Sequence, residues 1–226
     1  MTTWDVLPTG PDDLGEGPLW SPDGALWRVD ITGCAVYRLD VATGEERRLA
    51  TPSAVGCIAP TARGDLLACL AEGGIHRLDP VSGALSPLVD PEDGAGPTEV
   101  EPLGSLFRLD PDGSVHRMAG GLIVSNGIDW SPDGRVMYHT DSGTGRITAY
   151  DHDPATGAIE RPRTFVQDDD GVPDGLLVDA EGCIWSAKWD GWRVVRYAPD
   201  GTIERTLPVP AQRPTALALG GPDLRT

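Results

Sequence analysis

The chain has 226 residues, 35 acidic side chains against 18 Lys and Arg, a formal charge of −17 and a sequence pI near 4.4. So acidic a surface repels phosphate backbones, which argues against nucleic-acid binding. No apolar run approaches the roughly 20 residues that span a bilayer, and MTTWDVLPTG has no basic or apolar leader. The expectation is a cytoplasmic protein without a membrane partner.

The 29 Gly and 21 Pro are spread along the chain, which suits many short strands and turns in one domain over residues 1–226. Strand–turn–strand hairpins are predicted in chain order from Ala35 (AVYRLDVATGEERRL), Gly74 (GIHRLDPVSGALSPL), Ser105 (SLFRLDPDGSVHRM), Arg146 and Arg193. Each alternates apolar and polar residues about a Gly-containing turn. A second unit precedes most of them: a turn such as SPDG at Ser21 and Ser131, TARG at Thr61 or DAEG at Asp179, then an apolar strand. Together they make a four-stranded module of roughly 40–50 residues, the size of a propeller blade. No segment holds a helical period.

The spacing of the modules exposes a deficit. Turn glycines Gly24 and Gly64 are 40 residues apart and Gly134 and Gly182 are 48 apart, but Gly64 and Gly134 are separated by only 70. Two blades need about 20 more. The stretch from Asp90 to Gly104, DPEDGAGPTEVEPLG, reads as a loop where an inner strand pair belongs. RPTALALGGPDLRT from Arg213 resembles only the first strand and turn of a further blade. The expected fold is an all-β propeller lacking about one and a half blades.

Three inner strands share one template. EGPLWSPDG starts at Glu16, NGIDWSPDG at Asn126 and DGLLVDAEG at Asp174; Glu16 to Ser21, Asn126 to Ser131 and Asp174 to Asp179 are each five apart. Alone, Asn-Gly and Pro-Asp-Gly are ordinary turn signals, and further Asp-Gly turns occur at Asp23, Asp112, Asp133 and Asp200. Equal register across repeats instead brings two carboxylates and an amide to equivalent places, a donor set for a hard cation.

At these motifs the chain resembles the SMP-30/gluconolactonase family, six-bladed propellers that include sugar lactonases and regucalcin. The resemblance rests on LGEGPLW at Leu14, GLIVSNGIDWSPDG at Gly121, DSGTGRI at Asp141, GVPDGLLVDAEG at Gly171, WDGWRVVRYAPDG at Trp189 and RPTALALGGPDL at Arg213, over residues 14–224. It implies a six-bladed fold with the inner strands of the third blade and most of the last missing. It also implies a metal-dependent hydrolase opening sugar lactones, with one divalent cation (calcium, or else zinc, manganese or magnesium) held by Glu16, Asn126 and Asp174. Asp174 would double as catalytic base. The family's R-x-N-D-G motif, whose Arg and Asn hold substrate, has no counterpart between Asp90 and Gly104, so impaired catalysis is expected. The alternative is a non-catalytic relic that binds a cation or a partner.

Other polar residues are read more plainly. Cys34, Cys57, Cys69 and Cys183 lack CxxC spacing and are expected to be small buried thiols without a disulfide or metal role. Lys188, the single lysine, is read as exposed or at a rim. Asp141 and Ser142 are read as either a funnel mouth or a blade turn. His76 and His116 are structural or surface residues, His139 and His152 lack a triad-like partner, and Trp27 and Trp185 belong to the packing between blades.

Overall fold

The computed structural model describes residues 4–7, 9–90 and 102–221. Apart from one 3-10 turn at Ser142–Thr144, its regular elements are all strands. The first sheet contains β1 (Gly15–Trp20), β2 (Ala25–Asp30), β3 (Ala35–Asp40) and β4 (Glu46–Ala50). The second contains β5 (Val55–Pro60), β6 (Leu66–Leu70), β7 (Gly74–Leu78) and β8 (Leu85–Val89). A two-stranded third sheet pairs β9 (Gly104–Leu109) with β10 (Val115–Leu122). The fourth contains β11 (Ser125–Trp130), β12 (Val136–Asp141), β13 (Arg146–Asp153) and β14 (Ala158–Gln167). The fifth contains β15 (Val172–Val178), β16 (Ile184–Trp189), β17 (Arg193–Tyr197) and β18 (Ile203–Pro208).

Every four-stranded sheet is an antiparallel meander in chain order, the blade of a β-propeller. All five predicted hairpins form. The described residues contain four complete blades, not six, plus the outer hairpin β9–β10. Residues 91–101, most of the predicted gap, lie outside the described residues. Gly104, read as loop, instead opens β9. Residues 213–220 form no strand.

Local chemistry accounts for the repeat. The turn between the first two strands closes through N–H donation from Gly24 to Ser21 C=O at 2.9 Å, with matching bonds from Gly64 to Thr61, Gly134 to Ser131 and Gly182 to Asp179. Gly24 and Gly182 sit at φ +84° and +80°, a region that costs a residue with a Cβ but not glycine. The second strand is the most buried in the first, second and fourth sheets, whereas in the fifth β15 and β17 are buried at least as deeply as β16. β2 and β6 alternate buried and half-buried positions, as Cβ direction on a strand requires.

The strands fall into two compact units, β1–β8 in one and β9–β18 in the other. The first unit is filled by Trp27, Val29, Val36, Leu49, Val55 and Leu78 with their neighbours. In the second, Tyr138, Ile147, Leu176, Ile184, Val195 and Tyr197 pack together, and Phe165 meets Tyr138 and Tyr197 edge-on at 5.1 and 6.3 Å. Burying such side chains contributes roughly 1.5–3 kcal/mol each. Among the described residues no helix is long and apolar enough to cross a membrane.

Candidate metal and substrate site

Each complete blade breaks its ladder at the same point. The β1–β2 register shifts between Glu16 and Leu19, β5–β6 between Val55 and Cys57, β11–β12 between Ser125 and Ile128, and β15–β16 between Pro173 and Leu176. A bulge of this kind kinks the strand and re-aims the side chains within it. Counting five residues back from the first residue of each turn gives Glu16, Gly56, Asn126 and Asp174. Three of four equivalent positions carry an oxygen donor, and the second blade carries glycine.

After Asn126 and Asp174 the glycine is required because the next segment of chain passes close by, whereas Gly17, after Glu16, has room for a Cβ and is favoured by its φ of +53°. A Cβ on Gly127 would lie 2.2 Å from the Leu176 nitrogen and 2.9 Å from the Asp174 carbonyl oxygen. A Cβ on Gly175 would lie 2.7 Å from that of Ala216, and the Gly175 N–H donates to Thr215 C=O at 2.7 Å. No such atoms can coexist without moving the backbone.

Asn126 and Asp174 are joined through Ser142. The Ser142 hydroxyl donates to the Pro173 carbonyl at 2.6 Å, so its oxygen can only accept from Asn126, whose Nδ2 lies 3.2 Å away. The amide is thereby fixed with Nδ2 toward Ser142 and Oδ1 free for another contact. Asp174, beside that carbonyl, is 5% exposed. DSGTGRI therefore supplies an orienting hydroxyl at Ser142, a role its sequence did not separate from turn formation.

Glu16 belongs to the other unit. Burial pushes its carboxyl above the usual Glu range, with the Gly17 N–H donating to Oε2 at 3.1 Å and opposing that rise. Among the described residues no Lys or Arg forms an ion pair with Glu16. Within its own unit each donor is of the hard oxygen type: Glu16 is a desolvated carboxylate, and Asn126 holds its amide oxygen away from its hydrogen-bond partner.

Other polar clusters satisfy themselves. Asp141 accepts from the Ile123 and Val124 N–H groups at 3.3 and 2.9 Å. In the first blade Asp30 does the same for Asp13, Leu14 and Gly33. Burial raises the Asp30 carboxyl, but these N–H donors outweigh it and hold the group below the ordinary value. Asp141 is thus an anchor for the incoming chain. The equivalent position in the fifth sheet is Lys188, which is buried at 0% exposure rather than placed at a rim. Lys188 pairs with Asp168, donates to Ser186 Oγ at 3.1 Å and lies 5.1 Å from the centre of the Tyr197 ring. Burial lowers its ammonium pKa and Asp168 resists that. An acidic partner 20 residues upstream lets a lysine stay inside, which local sequence could not disclose.

His139 does have a partner: its Nε2 lies 2.8 Å from Ser125 Oγ. Burial lowers the imidazole to about 4, with the Asp141 charge opposing. The carboxylate that would complete a triad is spent on backbone N–H groups, and the imidazolium a Ser-His base must form is disfavoured. The contact pins β11 to β12 and does not make a nucleophile. Asp179, Glu181 and Cys183 place their ligand atoms within 4.8 Å of one another. Arg196 already occupies that cluster, at 2.7 Å from Asp179 and 2.6 Å from Glu181, so the charge is neutralised by a guanidinium. Trp27 is core, while the half-buried Trp185 donates to Asp179 at 2.8 Å.

Antiparallel four-stranded blades, four of them complete among the described residues, define an all-β propeller. The chain belongs to the SMP-30/Gluconolactonase/LRE-like family, whose model matches residues 14–99 and 93–226. It is 34% identical over 230 residues to the pentonolactonase XacC of Haloferax volcanii, covering 93% of this chain and 79% of the relative. Identity is 33% over 240 residues to the 6-deoxy-6-sulfogluconolactonase of Pseudomonas putida, covering 96% and 82%. The structure superposes on the calcium-binding protein regucalcin of Agrobacterium tumefaciens with TM-score 0.91 at 27% identity, over 97% of this chain and 82% of that one.

Proposed function

We propose that this protein is a metal-dependent hydrolase opening sugar lactones, with Glu16, Asn126 and Asp174 as ligands of one divalent cation. Calcium is the expected ion, and zinc, manganese and magnesium are alternatives. The observation that carries the reading is the bulge repeated in four blades, which holds an oxygen donor in three of them. Relatives named as lactonases support the substrate class, and a neighbour named as calcium-binding supports the ion. The blades are proposed to be those of a six-bladed type of propeller, one domain over residues 1–226 acting in the cytoplasm.

When bound, the cation supplies Lewis-acid polarisation of the lactone carbonyl. Asn126, locked by Ser142, presents its amide oxygen to it. Asp174 accepts a proton as water adds to the carbonyl carbon, then returns that proton to the ring oxygen as the C–O bond breaks. The buried setting of Asp174 keeps bulk water from competing for that proton. The residues from Asp90 to Gly104 include no Arg or Asn, so the lactone lacks the grip the family motif provides. Positioning groups are worth several kcal/mol of barrier, about tenfold in rate per 1.4 kcal/mol, and slow turnover is expected. The same absence favours a second reading, a cation- or partner-binding propeller without catalysis.

Calorimetric titration with calcium, zinc, manganese and magnesium, followed by pH-stat hydrolysis of sugar lactones, separates the two. The first reading expects stoichiometric binding and weak hydrolysis abolished by EDTA. Rapid hydrolysis surviving EDTA would overturn it.

A further inference from the structure

The second blade departs from the others at its bulge. Gly56 stands at the donor position, and Cys57 stands where Gly17, Gly127 and Gly175 stand in the other three. Directly across the ladder from Cys57 is Cys69 on β6. Of the four thiols expected to be buried, only Cys183 is; Cys34 is half-buried. Cys57 is in an exposed position, Cys69 is half-buried, and both are free.

Residues directly opposite on antiparallel strands project from the same face, with Cα atoms about 4.5–5.5 Å apart. That interval lies inside the roughly 4.4–6.8 Å that a disulfide spans. The two thiols already sense each other: each is the main influence on the other's ionisation, raising Cys57 and lowering Cys69. The hairpin joining them is closed by its own turn, with Thr61 N–H donating to Asp65 C=O at 3.0 Å and Gly64 N–H to Thr61 C=O at 3.1 Å. A covalent link between residues 12 apart closes a short loop, which constrains the unfolded chain less than a long-range bridge would, and at an exposed thiol it is open to reversal by exchange with a small thiol. The pair also borders β1: a Cβ on Gly17 would lie 3.8 Å from the Cys57 Cα. Cys34 and Cys183 lie just before β3 and β16, outside the ladders, and face no cysteine across a strand pair.

We propose that Cys57 and Cys69 form a thiol-modification site, a cross-strand dithiol that a peroxide or a small disulfide converts into a reversible intramolecular disulfide. With hydrogen peroxide, the first thiol attacks the O–O bond, giving a sulfenic acid and one water. The second thiol displaces the sulfenic hydroxyl, forming the S–S bond and a second water. One peroxide is reduced by two electrons as two thiols are oxidised. With a small disulfide, two exchange steps release two equivalents of the small thiol.

The test treats the native protein with hydrogen peroxide, alkylates what remains with iodoacetamide, and reads intact mass and non-reducing peptide maps. The site requires a product with two thiols protected, about 2 Da lighter before alkylation, a peptide linking Cys57 to Cys69, and full reversal by dithiothreitol. Cys57→Ser and Cys69→Ser should each lose that product, while Cys34→Ser retains it. Four alkylated thiols after treatment, a crosslink involving Cys34 or Cys183, or over-oxidation of Cys57 in place of a crosslink would each overturn the proposal. The wild-type map decides the matter even if a variant folds poorly.

Discussion

The second and fourth blades share a topology, a bulge and a turn, yet their inner strands do different things. In the fourth, the bulge holds Asn126-Gly127, and Gly127 lies so near the β15 backbone that its missing side chain is a structural requirement. In the second, the equivalent pair is Gly56-Cys57; a Cβ on Gly56 would meet nothing within 4 Å, and Cys57 already carries a side chain. Partners across the ladder differ in step. Ile128 faces His139 where Ile58 faces Ala68, and Ser125 faces Asp141 where Val55 faces Leu70. The blade therefore fixes where a side chain points, and the residue placed there decides whether the position carries a ligand, a thiol or nothing. A propeller can lose a donor from one blade without losing the blade.

The sharpest way to break this contrast is at the donor positions. Asp174→Asn keeps a carbonyl lone pair for a cation but cannot accept a proton. Hydrolysis measured by pH-stat should fall by roughly 10²–10⁴, the usual worth of a general base, while calorimetry still detects weakened metal binding. Gly56→Ala at the equivalent place in the second blade should leave hydrolysis unchanged. Equal rates for wild type and Asp174→Asn would place the chemistry elsewhere.

The close approach is tested next. Gly127→Ala puts a methyl group into backbone and should cost about 3 kcal/mol or more, lowering the thermal midpoint by roughly 10 °C for a chain this size. Cys57→Ala, at the matching position, should shift it by a degree or two. Similar midpoints for the two variants would mean that the joint at Gly127 yields as easily as the open one.

His139 against Ala68 gives a pH signature. A group whose folded pKa is depressed, here to about 4, binds fewer protons folded than unfolded, where it titrates near 6.5. Its contribution is complete above about pH 6.5 and is lost as pH falls toward 4. Between pH 7.5 and 4.5, urea melts of wild type should lose about 2 kcal/mol more than those of His139→Gln, which cannot charge. Parallel pH curves would show that His139 is not held neutral by burial.

Much of this was legible in sequence because a repeat reports on itself. The five hairpins, the turn glycines and the equal spacing of Glu16, Asn126 and Asp174 all follow from aligning the chain with itself, which needs no knowledge of contacts. What escaped depends on pairs that alignment does not reveal. Cys57 meets Cys69 only through the β5–β6 register, Lys188 is buried only because Asp168 reaches it, and Ser125 meets His139 across a bulge. Sequence distance between partners, from 12 to 20 residues here, hides them from local motifs. Composition could not help either, because each residue has a bland role that is commoner.

The smallest effect concerns the hydroxyl that orients the amide. Ser142→Ala removes the acceptor for Asn126 Nδ2, and the amide regains its freedom to flip. A neutral hydrogen bond contributes about 1 kcal/mol, so calcium affinity by calorimetry should fall roughly fivefold with little change in thermal midpoint. Asn126→Asp is the informative background, because a carboxylate offers oxygen from either face and does not depend on which way it is turned. Adding Ser142→Ala to Asn126→Asp should therefore cost less than adding it to wild type. Equal losses in both backgrounds would mean that Ser142 acts through its bond to the Pro173 carbonyl, by placing Asp174, and not by holding Asn126.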